Sequence, residues 1–171
     1  MSQLSEYYKE LGLSEEYIGR LPLPKFNEET RLILVDIGPD GREKLMSPEA
    51  AENWLALKSS ALSDGLTLIT YSAYRSFEYQ FNLIRERIRR GETVEQVTQR
   101  LAPPGFSEHH SGRAVDITCE MFPHPTQSFD QSVEFRWLSE NAGKFGFVMS
   151  YPKGNSVGII YEPWHWCFHP V

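Results

Sequence analysis

FSEHHSGRAVDI, residues 106–117, marks the point where the chain changes character. Two of the chain's five histidines stand side by side, a glycine follows, and an aspartate sits among Ala114, Val115 and Ile117. An isolated carboxylate in an apolar run is costly to bury without a partner. A cation is one such partner, and either His109 or His110 is near enough in sequence to reach forward to Asp116. Before Gly91 apolar residues recur at helical spacing, whereas after Ala114 short apolar runs dominate.

Upstream, SPEAAENWLALKSSALSDG (47–65) is the clearest helix. Ser47 suits the N-cap and Pro48 the first helical position. Ala51, Trp54, Leu55, Lys58, Ala61 and Leu62 recur at helical spacing, and Gly65 is placed to end the element. Residues 1–20 read as short helices, LPLPKF (21–26) as a rigid link, and RLILVDIGPDGR as a strand and turn, a hairpin arm near the edge of the fold. LTLITYSAY is a strand. Phe77, Phe81, Ile84 and Ile88 stripe a helix from about Phe77 to Arg90, and VEQVTQRLA is a short helix stopped by Pro103 and Pro104. Downstream come the loop CEMFPHPTQSFD, the helix VEFRWLSENAGKF, and strands in FVMSYP, VGIIYEP and WHWCFHPV. Helices first and strands later is an α+β order: a single domain, 1–171, with helices packed against a mainly antiparallel sheet. Strands near 113–118 and 164–169 are expected to be neighbours, with the functional cleft on the sheet's exposed face.

The 171 residues suffice for one core, and 40% hydrophobic with 13% aromatic residues excludes disorder. A net charge of −6 argues against a nucleic-acid partner. RERIRR (85–90) is locally basic but lies on a helix and reads as a solvated face. No apolar run approaches the roughly 20 residues of a membrane span. The N-terminal MSQLSEYYKELGL is charged and amphipathic rather than a signal peptide, so the expectation is either a cytoplasmic chain, as written, or a native N-terminus different from this one. Cys119 and Cys167 do not make a disulfide framework and are taken as free. The chain is taken as a monomer.

YEPWHWCFHPV (161–171) is the second unusual stretch. Alternation along an extended 164–169 puts Trp164, Trp166 and Phe168 on one face and His165, Cys167 and His169 on the other. Catalytic zinc takes three protein ligands and leaves a place for water. His109, Asp116 and His165 make such a set, with Gly112 letting the chain turn between the first two. A local His165–Cys167–His169 cluster competes, with geometry poor for a rigid strand. Cys167 otherwise reads as a small buried hydrophobe, His110 as a surface or supporting residue, and His124 and His169 as exposed. Glu162, three residues before His165, is placed as a general base, or as an edge carboxylate that aids solubility. In YSAYRSFEYQ (71–80), Arg75 at a strand-to-helix junction offers a fork of donors to a carboxylate or oxyanion, or a structural ion pair. Ser76 caps the next helix, and Gln80 lies one turn on.

Together these stretches resemble the D-alanyl-D-alanine carboxypeptidase family of zinc peptidases, the branch of bacterial D,D- and L,D-carboxypeptidases related to VanY. Ser107, His109, Gly112, Ala114 and Asp116 match its first motif, Glu162 and His165 its late one, and Tyr74, Arg75, Ser76 and Gln80 an earlier one. WLSENAGKFGFVMSYPKG (137–154) is similar too, so the likeness spans roughly 45–169 and leaves the first 44 residues unexplained. The resemblance implies a Hedgehog/DD-peptidase-like fold and one Zn2+ on His109, Asp116 and His165. It implies Glu162 as the base that activates water and Arg75 as the oxyanion or substrate grip. Ser107 and Gln80 would hold the terminal D-alanine carboxylate, Tyr151 would shape that pocket, and Trp164 would steer His165. Cys167 and Phe168 depart from the family's usual basic residue and tyrosine. The implied partner is a peptidoglycan peptide or muropeptide, and the implied work is on the cell envelope. An endopeptidase of the same fold and a non-catalytic zinc or wall-binding domain are the alternatives.

Overall fold

The computed structural model describes residues 2–170, so Met1 and Val171, the ends of the first helical stretch and of the tail, lie outside the described residues. Two short helices open the chain, α1 (Gln3–Leu11) and α2 (Glu15–Gly19), capped by the side chains of Ser2 and Ser14. A hairpin of β1 (Ile33–Ile37) and β2 (Glu43–Met46) forms its own two-stranded sheet. Next come α3 (Pro48–Ser63), β3 (Ile69–Ser72), α4 (Phe77–Arg89) and α5 (Val94–Thr98). The C-terminal half adds β4 (Ala114–Thr118), α6 (Val133–Asn141), β5 (Phe147–Met149) and β6 (His165–Phe168).

The main sheet runs β3-β4-β6-β5, antiparallel throughout. Its pleat sorts the side chains. Val115, Ile117, Trp166 and Phe168 enter the main core with Trp54, Leu57 and Ala61 of α3 and Leu138 of α6. Asp116 and His165 stand directly opposite each other in the β4–β6 register, and Ser72 pairs with Asp116 across β3. The period of two therefore sends core residues one way and functional residues the other. The helices α1, α4 and α5 build a second apolar cluster from Leu11, Phe81, Ile84 and Val97, with Tyr7 stacked on Phe81 at 4.4 Å.

Two expectations change. Leu55 and Leu62 are 45% and 65% exposed, because the inward stripe of α3 runs through Ala50, Trp54, Leu57 and Ala61 and both leucines fall beside it. VGIIYEP is not a strand. Asn155 Nδ2 donates to the carbonyls of Pro152 (3.1 Å) and Ile159 (2.8 Å), Gly158 sits at φ +79°, and Pro163 has no N–H to give a ladder. The segment instead forms an irregular wall over the functional face of the sheet.

The first 44 residues are not an appendage. The N–H of Phe26 donates to the Gly105 carbonyl and that of Glu29 to the His110 carbonyl, both at 2.8 Å. The N-terminal segment thus pins the backbone of the opening stretch from outside. Among the described residues no helix is long and apolar enough to cross a membrane.

Candidate active site

Residues 108–111 form one 3-10 turn that ends at Gly112 in the left-handed region, φ +67°. A Cβ on Gly112 would lie 2.8 Å from the Ser47 backbone nitrogen, so close approach as well as φ demands glycine. This reversal lays His109 back over β4, where Asp116 rises from the sheet, and β6 supplies His165 from the next strand. One ligand atom from each of His109, Asp116 and His165 falls within 4.8 Å of the others, and all three residues are buried. His109 Nε2 is 3.3 Å and His165 Nδ1 is 3.1 Å from Asp116 Oδ1.

The donor set fits a cation. His109 Nδ1 lies 2.6 Å from the Ala73 carbonyl, an acceptor only, so that nitrogen carries the proton. Burial pushes the His109 imidazole down to about 4, so near neutrality its Nε2 is a bare lone pair. That lone pair faces a carboxylate oxygen, and two acceptors in contact need a positive charge between them. Burial would raise the Asp116 carboxyl, yet the Arg75 cation and the hydrogen bond from His165 work against it, and the carboxyl lies well below the usual range. Burial would lower the His165 imidazole, but Asp116 and Glu108, one at each ring nitrogen, raise it to about 10. A metal at this point would replace the Nδ1 proton with a stronger cation.

Arg75 closes the back of the site. Its Nη2 donates to Asp116 Oδ2 and its Nε to Ser72 Oγ at 2.9 Å. Both an ion pair and a place on the cleft wall are therefore realised, since Arg75 also lines the cleft of about 490 Å³ that opens over the triad. Glu162 lies on the same wall, 5% exposed, and its carboxylate makes no hydrogen bond among the described residues. Burial pushes it up to about 8, with Asp116 and Glu108 adding to the effect against His165 and Arg75. The Glu162 backbone N–H donates to the Tyr151 carbonyl at 3.0 Å, which ties this residue to the pocket wall. The Tyr151 ring packs on His165 with centroids 4.8 Å apart, and burial raises its hydroxyl.

Ser107 is buried and lines the cleft beside His109. Gln80 also lines it, but its Nε2 donates to the Ala102 carbonyl at 2.8 Å and its Oε1 has no partner. Ser76 caps α4 as expected, accepting from the Tyr79 N–H. His110 is not a surface residue: it is fully buried between the backbones of Arg75 and Gly105. His169 is exposed, Cys167 and Cys119 are free and buried, and the metal-forming group among the described residues is the one with His109 and Asp116. Burial and nearby Glu108 hold the Cys167 thiol up, a poor state for a ligand. Trp164 is half-buried against the core, and its carbonyl accepts the Ile117 N–H at 2.8 Å, which sets the start of β6 at His165.

Sequence reasoning passed over Glu108. Its Oε2 lies 2.8 Å from His165 Nε2 and accepts from Ser150 Oγ at 2.6 Å. The residue fills the spacer between Ser107 and His109, and only the strand register reveals what it meets.

The family model for VanY, D-alanyl-D-alanine carboxypeptidase, matches residues 43–171. The chain belongs to this family. A D-alanyl-D-alanine carboxypeptidase of Enterococcus faecium is 32% identical over 123 residues, covering 70% of this chain and 36% of that protein. The solved LdcB LD-carboxypeptidase superposes with a TM-score of 0.74 at 27% identity, covering 85% of this chain and 74% of that one. A vancomycin-resistance D,D-pentapeptidase, VanY of a VanB-type cassette, solved in complex with Zn(II), gives a TM-score of 0.65 at 28% identity, covering 87% and 84%. This chain spans 36 to 55% of the length of the first curated relatives it matches. In this chain the group able to hold such an ion is His109, Asp116 and His165.

Proposed function

We propose that this VanY-family chain is a zinc-dependent carboxypeptidase that hydrolyses the last peptide bond of peptidoglycan-type peptides ending in D-alanine. The observation that carries the reading is the pairing of the His109–Asp116–His165 group with Glu162, a buried carboxylate lining the same cleft that makes no hydrogen bond among the described residues. A structural metal site needs no such base. D,D- and L,D-carboxypeptidases among the similar proteins support the substrate class.

Bound at the triad, zinc would supply a Lewis acid and an activated water at neutral pH. Glu162 takes the water's proton on its carboxylate and returns it to the leaving amine. Burial and raised proton affinity suit Glu162 to both transfers. Arg75 holds Asp116 through Nη2 and Ser72 through Nε, which leaves Nη1 to meet charge developing on the carbonyl oxygen. The Ser107 hydroxyl is the donor suited to the terminal carboxylate. Gln80, with an acceptor left over, suits an N–H of the peptide better. Tyr151 and Ile159 wall the pocket against water.

Mass spectrometry of defined muropeptides after incubation with the zinc-loaded protein tests the reading. Loss of a single terminal D-alanine is the expected result. Internal cleavage would identify an endopeptidase, and intact peptides would remove the enzymatic reading.

A further inference from the structure

We propose that Glu108 is a positioning residue that fixes the tautomer of His165, taking the Nε2–H as hydrogen-bond acceptor so that Nδ1 is the nitrogen presented to the metal. This rests on the zinc-site reading above and deepens it.

The two histidines of the triad are held in opposite senses. His109 gives its Nδ1–H to the Ala73 carbonyl at 2.6 Å and turns Nε2 toward Asp116. His165 turns Nδ1 toward Asp116, and its Nε2, on the far side of the ring, meets Glu108 Oε2 at 2.8 Å. A neutral imidazole carries one proton, so an acceptor at one nitrogen frees the other as a ligand. For His109 that acceptor is a backbone carbonyl. For His165 it is a side chain, and so it can be altered by mutation.

Glu108 is itself fixed. Ser150 Oγ donates to the same Oε2 at 2.6 Å, and the carboxylate is mostly covered, with the side chain 15% exposed. The Tyr151 ring, next in sequence to Ser150, lies against the His165 ring and restrains its rotation. Three separate segments, the 3-10 turn, the end of β5 and the start of β6, therefore lock one ring in one orientation. The contrast with Glu162 gives the two glutamates different tasks. Glu108 has two donors on one oxygen and no freedom to shuttle a proton, whereas Glu162 has none and faces the cleft.

The test measures zinc affinity, by competition with a chromophoric chelator, and the protonation of His165, by long-range 1H–15N spectra, on zinc-loaded protein. In the parent, His165 should carry its proton on Nε2 and His109 on Nδ1. Glu108→Ala should weaken zinc binding by about 10- to 100-fold, the usual cost of losing an acceptor behind a ligating histidine. Glu108→Gln retains an acceptor oxygen and should keep both the Nε2–H signal and zinc affinity within about threefold of the parent. A parent His165 protonated at Nδ1 overturns the proposal whatever the variants do, as does parental zinc affinity in E108A. E108Q as weak as E108A would equally remove the acceptor role. If E108A does not fold, the parent spectrum and E108Q decide. Muropeptides left intact by a protein that shows the predicted His165 tautomer would refute the hydrolase reading alone and leave this inference standing.

Discussion

His110 offers a stability test that needs neither substrate nor metal. Its ring is fully buried, with Nδ1 2.7 Å from the Arg75 carbonyl and Nε2 accepting the Gly105 N–H at 3.1 Å. Both contacts are made only by a neutral ring protonated at Nδ1. A proton on Nε2 would press against the Gly105 N–H, and burial accordingly pushes the imidazole down from an ordinary 6.5 to about 4. The unfolded chain binds this proton below about pH 6.5, while the folded chain refuses it until about pH 4. Stability contributed by neutral His110 is therefore complete above about 6.5 and falls as pH drops between those values. The full loss is about 3 kcal/mol, of which about 2 kcal/mol is gone at pH 5. His110→Gln keeps a donor and an acceptor but does not titrate. The assay is urea unfolding of parent and H110Q, both chelated, at pH 7.5 and pH 5. H110Q should be the less stable of the two at pH 7.5, and it should lose about 2 kcal/mol less than the parent on going to pH 5. Comparing the variants cancels the titration of every other group. Equal losses in both proteins would refute the reasoning.

Glu162→Gln should fold and hold zinc yet turn over defined muropeptides at least about a hundredfold more slowly, the cost of losing a positioned general base. Arg75→Lys retains charge but cannot span Asp116 and Ser72 at once, so steady-state kinetics should show both weaker substrate binding and slower turnover. Zinc binding near pH 7 should release between one and two protons, one from His165 held at about 10 and the rest from Glu162 held at about 8, as read by calorimetry in buffers of different ionisation enthalpy. In the same way, zinc affinity should weaken as pH falls. Trp54→Ala, emptying the centre of the core and breaking the 3.2 Å bond from Nε1 to Thr70, should cost about 3–5 kcal/mol in chemical unfolding.

Much of this architecture is legible in the chain because periodicity carries it. The alternation in WHWCFHPV places Trp166 and Phe168 in the core and His165 on the functional face, and the β4–β6 neighbourhood follows from both strands supplying ligands. The choice between His109 and His110 is another matter. Adjacent residues on a tight 3-10 turn point in different directions, and which one meets Asp116 depends on where Gly112 reverses the backbone. The residue pattern settled it only through family resemblance; the structure shows His110 bonded to Arg75 and Gly105 instead. VGIIYEP (157–163) reads as a strand because Ile159, Ile160 and Tyr161 are apolar in a row, whereas Asn155, Gly158 and Pro163 withdraw the backbone from any ladder. Glu108 had no signature at all, since its partners Ser150 and His165 lie 42 and 57 residues away.

Charge accounting links the two glutamates to the metal. Around the triad the site gathers the carboxylates of Asp116, Glu108 and Glu162 and the permanent cation of Arg75. Three negative charges against one positive would leave a buried excess of two, which the protein relieves by raising the proton affinity of Glu162 and His165. A divalent cation cancels that excess. Held by His109, Asp116 and His165, it would stand in for the His165 proton, and its field would favour the ionised form of Glu162. With such an ion in place, Glu162, the proposed base, would be ready to accept a proton near neutral pH. Glu108 belongs to the same balance, because its charge both orients His165 and supplies part of the negative field that the metal must neutralise.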